Sequence, residues 1–275
     1  MKVAFCTCVK LGLSCIEKIH DINERFDLFI TLEDHLALKK SGRIFLDEVA
    51  EKTNTPIIKT SHINNQHVID SLKEHNIDWL FIIGWSQIAS IDVLNACNKG
   101  TIGAHPTLLP YGRGRAAIPW TIIKGLELTG LTFFKMDEGV DTGDILEQIE
   151  IPISKNENAT TLYDKVNNAH IDLIAKVWPK IQTNNLVGKK QNETLATYWE
   201  GRKPKDGEIF SEKMSVDEVD RLVRATTKPY PGAFLIKKNK KIIIWSGEKN
   251  SNSNGMKIKC KDGIFIATDI ETLDV

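Results

Sequence analysis

Gln66-His-Val-Ile-Asp-Ser-Leu-Lys-Glu-His75 followed by Asp78-Trp-Leu-Phe-Ile-Ile83 is a helical run that leads at once into a short β-rich run. The same alternation extends outward on both sides, from Lys2 to Ile151. It places strands at Lys2 to Thr7, Asp27 to Thr31, Pro56 to Lys59, Asp78 to Ile83, Thr101 to Ala104 and Leu131 to Met136. Helices fall near Leu13 to Ile22, Ile44 to Thr53, Gln66 to His75 and Ala116 to Gly125. Strands alternating with helices mark crossover connections, so the expected class is α/β, with a Rossmann-like, mostly parallel sheet and helices on both faces.

Further along, apolar Leu162, Val166, Ala169, Leu173 and Val177 recur at helical spacing from Thr160 to about Gln182. The stretch Thr183 to Glu193 is rich in Asn, Gly and Lys and reads as a linker. We therefore expect a Rossmann-like domain over residues 1–200 and a small β-rich domain over 201–275. The second domain opens with a helix capped by Ser215, with Glu218 three residues later completing a capping box. Short strands at Ala233 to Ile236, Lys241 to Trp245, Met256 to Lys259 and Gly263 to Ala267 then suggest a small OB-like barrel.

The chain has 275 residues, 41% of them hydrophobic, enough apolar material for a sizeable core and against a disordered chain. Its 36 Lys and Arg are matched by 36 Asp and Glu, so the molecule as a whole is not built to neutralise phosphates. No segment reaches the ~20 apolar residues of a membrane span, and a soluble, cytoplasmic protein is expected. The five cysteines, at 6, 8, 15, 97 and 260, are odd in number and scattered, which fits a reducing compartment. Cys6 and Cys8 lack a second ligand pair for zinc and read as small buried hydrophobes.

Two segments carry the chemistry. Gly103-Ala-His105-Pro-Thr107-Leu-Leu-Pro110-Tyr-Gly-Arg113-Gly-Arg115 places His105 at the carboxyl end of a central strand, the edge where open α/β sheets hold ligands. Asp137-Glu-Gly139-Val140-Asp141-Thr-Gly143-Asp144 forms a second glycine-flanked loop after another strand, able to bring a carboxylate beside the imidazole. A paired His and Asp suit general acid and base work near neutral pH. From pattern alone a core histidine and a turn aspartate are the plainer readings.

These segments resemble the signature of the formyltransferases that use 10-formyltetrahydrofolate, Asn-x-His-x-Ser-Leu-Leu-Pro with a distant Asp-x-Gly. His105, Leu108, Leu109, Pro110, Asp141 and Gly143 match it, and Thr107 stands for Ser. Arg113-Gly-Arg115 and the later Arg224 to Phe234 segment, with Pro229-Tyr-Pro-Gly232, resemble the branch of methionyl-tRNA formyltransferase and the sugar-nucleotide N-formyltransferases. The resemblance implies an active site in the amino domain, with His105 and Asp141 catalytic and 10-formyltetrahydrofolate as co-substrate; no metal is expected. It also implies that the pterin meets Trp85, Ser86, Gln87 and Ile88 and the backbone around Gly139 and Val140. Trp85 is open between a stacking wall and ordinary packing. Arg113 and Arg115 are open between anion contacts and pinning of their own loop, with pinning favoured for Arg113.

One departure stands out: the family Asn, a donor to the formyl oxygen, is Gly103 here. Backbone N–H groups, Ser86, Gln87 or Thr107 are the candidate replacements, and a slow enzyme or a noncatalytic folate- or nucleotide-binding relative are the alternatives. The preferred acceptor is the primary amine of a nucleotide-linked 3- or 4-amino-dideoxy sugar for surface glycans such as lipopolysaccharide. Methionyl-tRNA is the second choice and hydrolysis of the formyl donor a third. Lys228 to Lys261 holds nine lysines and one acid, Glu248, but lysines without interleaved arginines are a weak nucleic-acid signal. Nucleic acid and membrane are not expected partners, and a homodimer fits the sugar branch although no apolar stripe marks an interface.

Overall fold

In the computed structural model, which describes residues 1–39 and 42–274, the chain divides into two compact units. The first comprises Met1–Arg113, Gly130–Ile151 and Val166–Tyr198; the second comprises Gly114–Thr129, Pro152–Lys165 and the chain from Trp199 onward.

The expected alternation is present. It runs β1 (Val3–Cys6), α1 (Lys10–Asp21), β2 (Leu28–Leu32), α2 (Asp47–Thr53), β3 (Ile57–Thr60), α3 (Gln66–Glu74), β4 (Trp79–Ile82), α4 (Ile91–Leu94) and β5 (Gly100–His105). Then come β6 (Arg113–Gly114), α5 (Ala117–Ile123), β7 (Leu128–Lys135), β8 (Ile145–Pro152), the long α6 (Ala159–Gln182) and β9 (Tyr198–Trp199). The seven-stranded sheet has the order β3-β2-β1-β4-β5-β7-β8. Neighbours from β3 to β5 pair in parallel, and β7 runs antiparallel to β5 with Thr132 opposite His105. Every residue of β1, β2 and β4 is buried, as a parallel sheet covered on both faces requires.

Alternate residues of these strands feed two cores. Ala4, Cys6, Leu28, Ile30, Leu80 and Ile82 pack with Val68 and Leu72 of α3 and with Val93 and Leu94 of α4. On the opposite face Phe5, Phe26, Phe81 and Phe133 form a chain of ring contacts closed by α6, whose Trp178 meets Phe26 edge-on at 4.9 Å and whose His170 meets Phe133 at 5.9 Å. Burial pulls the His170 imidazole down to about 4, so this ring serves the core in its neutral form. Cys6 and Cys8 are buried, and burial raises the Cys6 thiol well above its usual range.

The short elements α4, β6 and β9 were not placed by the sequence reading, and two larger features depart from it. Strand β8 was not expected, because its alternation is confined to the short run Gln148-Ile-Glu-Ile151. The stretch read as a linker is tied down: Lys189 exchanges two backbone hydrogen bonds of 2.8 Å with Ile145 at the start of β8.

In the second unit, α7 (Val216–Thr226) begins with the expected box, the Ser215 hydroxyl accepting from Glu218 N and the Glu218 carboxylate accepting from Ser215 N. Strands β10 (Ala233–Lys237), β11 (Lys240–Lys249), β12 (Met256–Lys259) and β13 (Ile264–Asp274) form an antiparallel half-barrel ordered β10-β11-β13-β12. Val219, Leu222 and Val223 of α7 pack onto Ile244, Ile258, Phe265 and Ala267. Among the described residues no helix is long and apolar enough to cross a membrane. Replacing Ser215 with Ala is expected to cost about 1 kcal/mol in urea unfolding, the worth of a helix cap, and an unchanged midpoint would refute the cap's contribution.

Candidate active site

His105 is the last residue of β5, at the carboxyl edge of the parallel strands, and is 6% exposed. Its Nε2 lies 2.7 Å from the carbonyl of Gly112, which can only accept, so Nε2 carries a proton. Its Nδ1 lies 3.4 Å from Oδ2 of Asp141. Both ring nitrogens therefore face oxygen acceptors.

Asp141 reaches the ring from the turn between β7 and β8, with φ +57°, uncommon for a residue bearing a Cβ. Within this turn Asp137 accepts from Gly139 N at 3.1 Å and from the Thr142 hydroxyl at 2.6 Å. A Cβ at Gly143 would lie 1.7 Å from the carbonyl oxygen of Lys135, so only glycine closes the turn there.

The loop after β4 is braced by Gln87. Its Oε1 accepts from Trp85 Nε1 and Ile63 N, and its Nε2 donates to Ser61 O, so its two ends are committed within the protein. Trp85 packs partly buried on the core, while Ile88 beyond it is 73% exposed. Val140 is also exposed. Thr107, two residues past His105, is buried, and its hydroxyl has no hydrogen-bond partner.

Gly103 sits where a side chain would collide. A Cβ there meets the Phe134 ring at 2.9 Å and Met136 at 3.0 Å, so the volume that an Asn would need is filled by β7 and its extension.

Arg113 is pinned rather than free. Its guanidinium has no exposed surface, and all five N–H groups are used: Nε and Nη2 on Gln191 Oε1, Nη1 on Glu193 Oε2 and the Tyr198 hydroxyl, and Nη2 on Glu193 Oε1. Arg115 falls in the second unit, where its amide donates to Trp199 O at 3.0 Å and its side chain is exposed.

The segment from Lys189 to Tyr198 is thus part of the site. Thr197 takes the Gly112 N–H on its hydroxyl and the Arg113 N–H on its carbonyl, and Gln191 donates to the carbonyls of Asp141 and Gly143. Sequence reading missed Gln191 and Glu193 because the polar composition of Thr183 to Glu193 signals a linker, and it drew nothing from Thr197 and Tyr198 beyond it. Among the described residues no group of three His, Cys, Asp or Glu side chains is placed to hold a metal ion.

The formyl transferase family model matches residues 35–177, and the model of the formyl transferase C-terminal domain matches residues 202–275. The bifunctional polymyxin resistance protein ArnA of Wigglesworthia glossinidia brevipalpis is 32% identical over 241 residues, 86% of this chain; the chain spans only 36% of that relative's length. The methionyl-tRNA formyltransferase of Clostridioides difficile (strain 630) is 30% identical over 275 residues, covering 98% of this chain and 88% of that protein. The crystal structure of WlaRD, a sugar 3N-formyl transferase in the presence of dTDP and 5-N-formyl-THF, matches the fold with a TM-score of 0.71 at 20% identity, covering 100% of this chain and 98% of that one.

The Glu193 carboxyl is held below the usual carboxylate range chiefly by the hydrogen bonds of Arg113. A carboxyl depressed in the folded state adds stability above its unfolded pKa and loses it as pH falls through the folded value. The stability gap between wild type and Glu193→Gln, followed by urea unfolding, should be widest near neutrality and shrink below about pH 4.5, the carboxyl's ordinary value. A gap independent of pH would refute the pairing.

Proposed function

The chain belongs to the formyl transferase family, and we propose that it moves a formyl group from 10-formyltetrahydrofolate to the primary amine of a nucleotide-linked 3- or 4-amino-dideoxy sugar. The observation that carries this reading is the His105–Asp141 pair at the carboxyl edge of the sheet. The division of labour that goes with it gives catalysis to residues 1–200 and a supporting role to residues 201–275.

The folate supplies the activated formyl carbon. The exposed Ile88 and Val140, the backbone from Asp137 to Asp141 and the unpartnered Thr107 hydroxyl are suited to receive a ring with one apolar face and a polar edge. His105, tethered at Nε2 by Gly112, stabilises negative charge developing on the formyl oxygen under attack. Asp141 accepts the proton that the attacking amine loses as the new carbon–nitrogen bond forms, and a proton is returned to the folate nitrogen as its bond to the formyl carbon breaks and tetrahydrofolate leaves. Thr107, whose hydroxyl is buried without a partner, is the candidate for the donor that Gly103 cannot provide.

Support for a sugar acceptor comes from the folate- and dTDP-bound sugar transferase of the same fold and from the way several lysines of the second unit are already engaged. Lys249 pairs with Asp217 at 2.7 Å, Lys228 sits 5.4 Å from the Trp245 ring centroid and Lys241 4.1 Å from that of Phe234. A second reading, methionyl-tRNA, is favoured by a cavity of about 740 Å³ in that unit lined by Lys237, Lys257, Lys259 and Lys261, and by the tRNA-enzyme relative.

Formylation assays with 10-formyltetrahydrofolate should show turnover of a dTDP-linked amino sugar and none of charged initiator tRNA; the reverse result overturns the acceptor. His105→Ala and Asp141→Asn should each lower kcat by roughly 10²–10⁴-fold with folding intact, and near-normal turnover in either removes that residue from the mechanism. Thr107→Val should lower kcat by about 10²–10³-fold, the worth of one oxyanion donor, without lowering Tm, since it deletes a hydroxyl that bonds to nothing; full activity would assign the donor elsewhere.

A further inference from the structure

We infer that Gln191 is a positioning residue for formyl transfer, its amide holding the Asp141 turn in register with the loop that tethers His105. The inference rests on the roles given to His105 and Asp141 above.

A primary amide has four hydrogen-bonding places, two N–H donors and two lone pairs on oxygen. Gln191 uses all four: Nε2 donates to Asp141 O at 2.8 Å and Gly143 O at 2.7 Å, and Oε1 accepts from Arg113 Nε at 3.1 Å and Nη2 at 2.8 Å. The amide has one workable orientation, because one end meets only carbonyls and the other only N–H groups.

Each end leads to one half of the reacting pair. Asp141 occupies a left-handed conformation that persists only where its surroundings impose it, and Gln191 grips the carbonyl of that residue. Arg113 follows Gly112, whose carbonyl fixes His105 Nε2. A single side chain therefore bridges the carboxylate's backbone and the imidazole's tether. With 3.4 Å between Nδ1 and the carboxylate, a shift of about 1 Å in either half would cost on the order of 10² in rate.

The test compares Gln191→Ala and Gln191→Glu with wild type in the full chain, using 10-formyltetrahydrofolate and the acceptor that wild type formylates. The second readout is the ring ¹⁵N signals of His105, assigned through His105→Ala, with those of buried His170 as the internal reference. Gln191→Glu keeps the volume and the acceptors toward Arg113 but turns an oxygen toward two carbonyls, so it is read by the same criteria if the alanine variant fails to fold. We expect kcat to fall by about 10²-fold while KM for the folate stays within about 3-fold, with His105 signals moved and His170 signals unmoved. A kcat within about 3-fold of wild type, or lost activity with unmoved His105 signals, overturns the inference. Normal turnover in His105→Ala would instead overturn the catalytic reading itself, whereas near-normal Gln191 variants beside an inactive His105→Ala remove this inference alone.

Discussion

A guanidinium sealed from water must have every donor answered, and at Arg113 that demand shapes the site. Each unanswered buried donor costs about 1–3 kcal/mol, and five are present. The acceptors come from one polar stretch, Gln191, Glu193 and Tyr198, which has to lie against the loop after β5. Once there, the same stretch meets the turn between β7 and β8. The buried charge thus recruits the segment that joins two loops which share no sequence neighbourhood.

On the proposed reading, this is how a sheet edge becomes a reaction centre with so few residues. The parallel strands deliver His105 to the rim, and hydrogen bonds from elements on either side set its angle. A histidine with both nitrogens engaged is stiff, and stiffness suits electrostatic stabilisation, where the charge must already point the right way when the reaction begins. Asp141, approaching through a loop closed by Gly143, is the other fixed pole.

Much of the architecture was legible in the chain because it rests on local signals. Fully apolar runs such as Val3 to Cys6 and Trp79 to Ile82 announce buried parallel strands, and Ser215 with Glu218 announces a helix start. The motif residues His105 and Asp141 were legible by their glycine- and proline-rich settings, and the structure brings them within 3.4 Å. What was not legible depends on partners distant in sequence. Strand β8 carries only a short alternation, Gln148 to Ile151, and Gln191 belongs to a stretch whose polarity has the same composition as a solvated linker. Its polar groups are spent on backbone carbonyls and an arginine about 50 to 80 positions away, which no local window can register. Gln87, which the resemblance assigns to the pterin, hydrogen-bonds Trp85, Ile63 and Ser61, the last two of which no local window shows.

The crowding around Gly103 has a consequence for substitution. With Phe134 and Met136 filling the space over its Cα, placing an amide side chain there overpacks the neighbourhood, a change that typically costs about 1–3 kcal/mol. An Asn at this position is expected to come with a displaced Phe134 ring or Met136 side chain, so its effect on the loop is a change of packing as much as a change of hydrogen bonding.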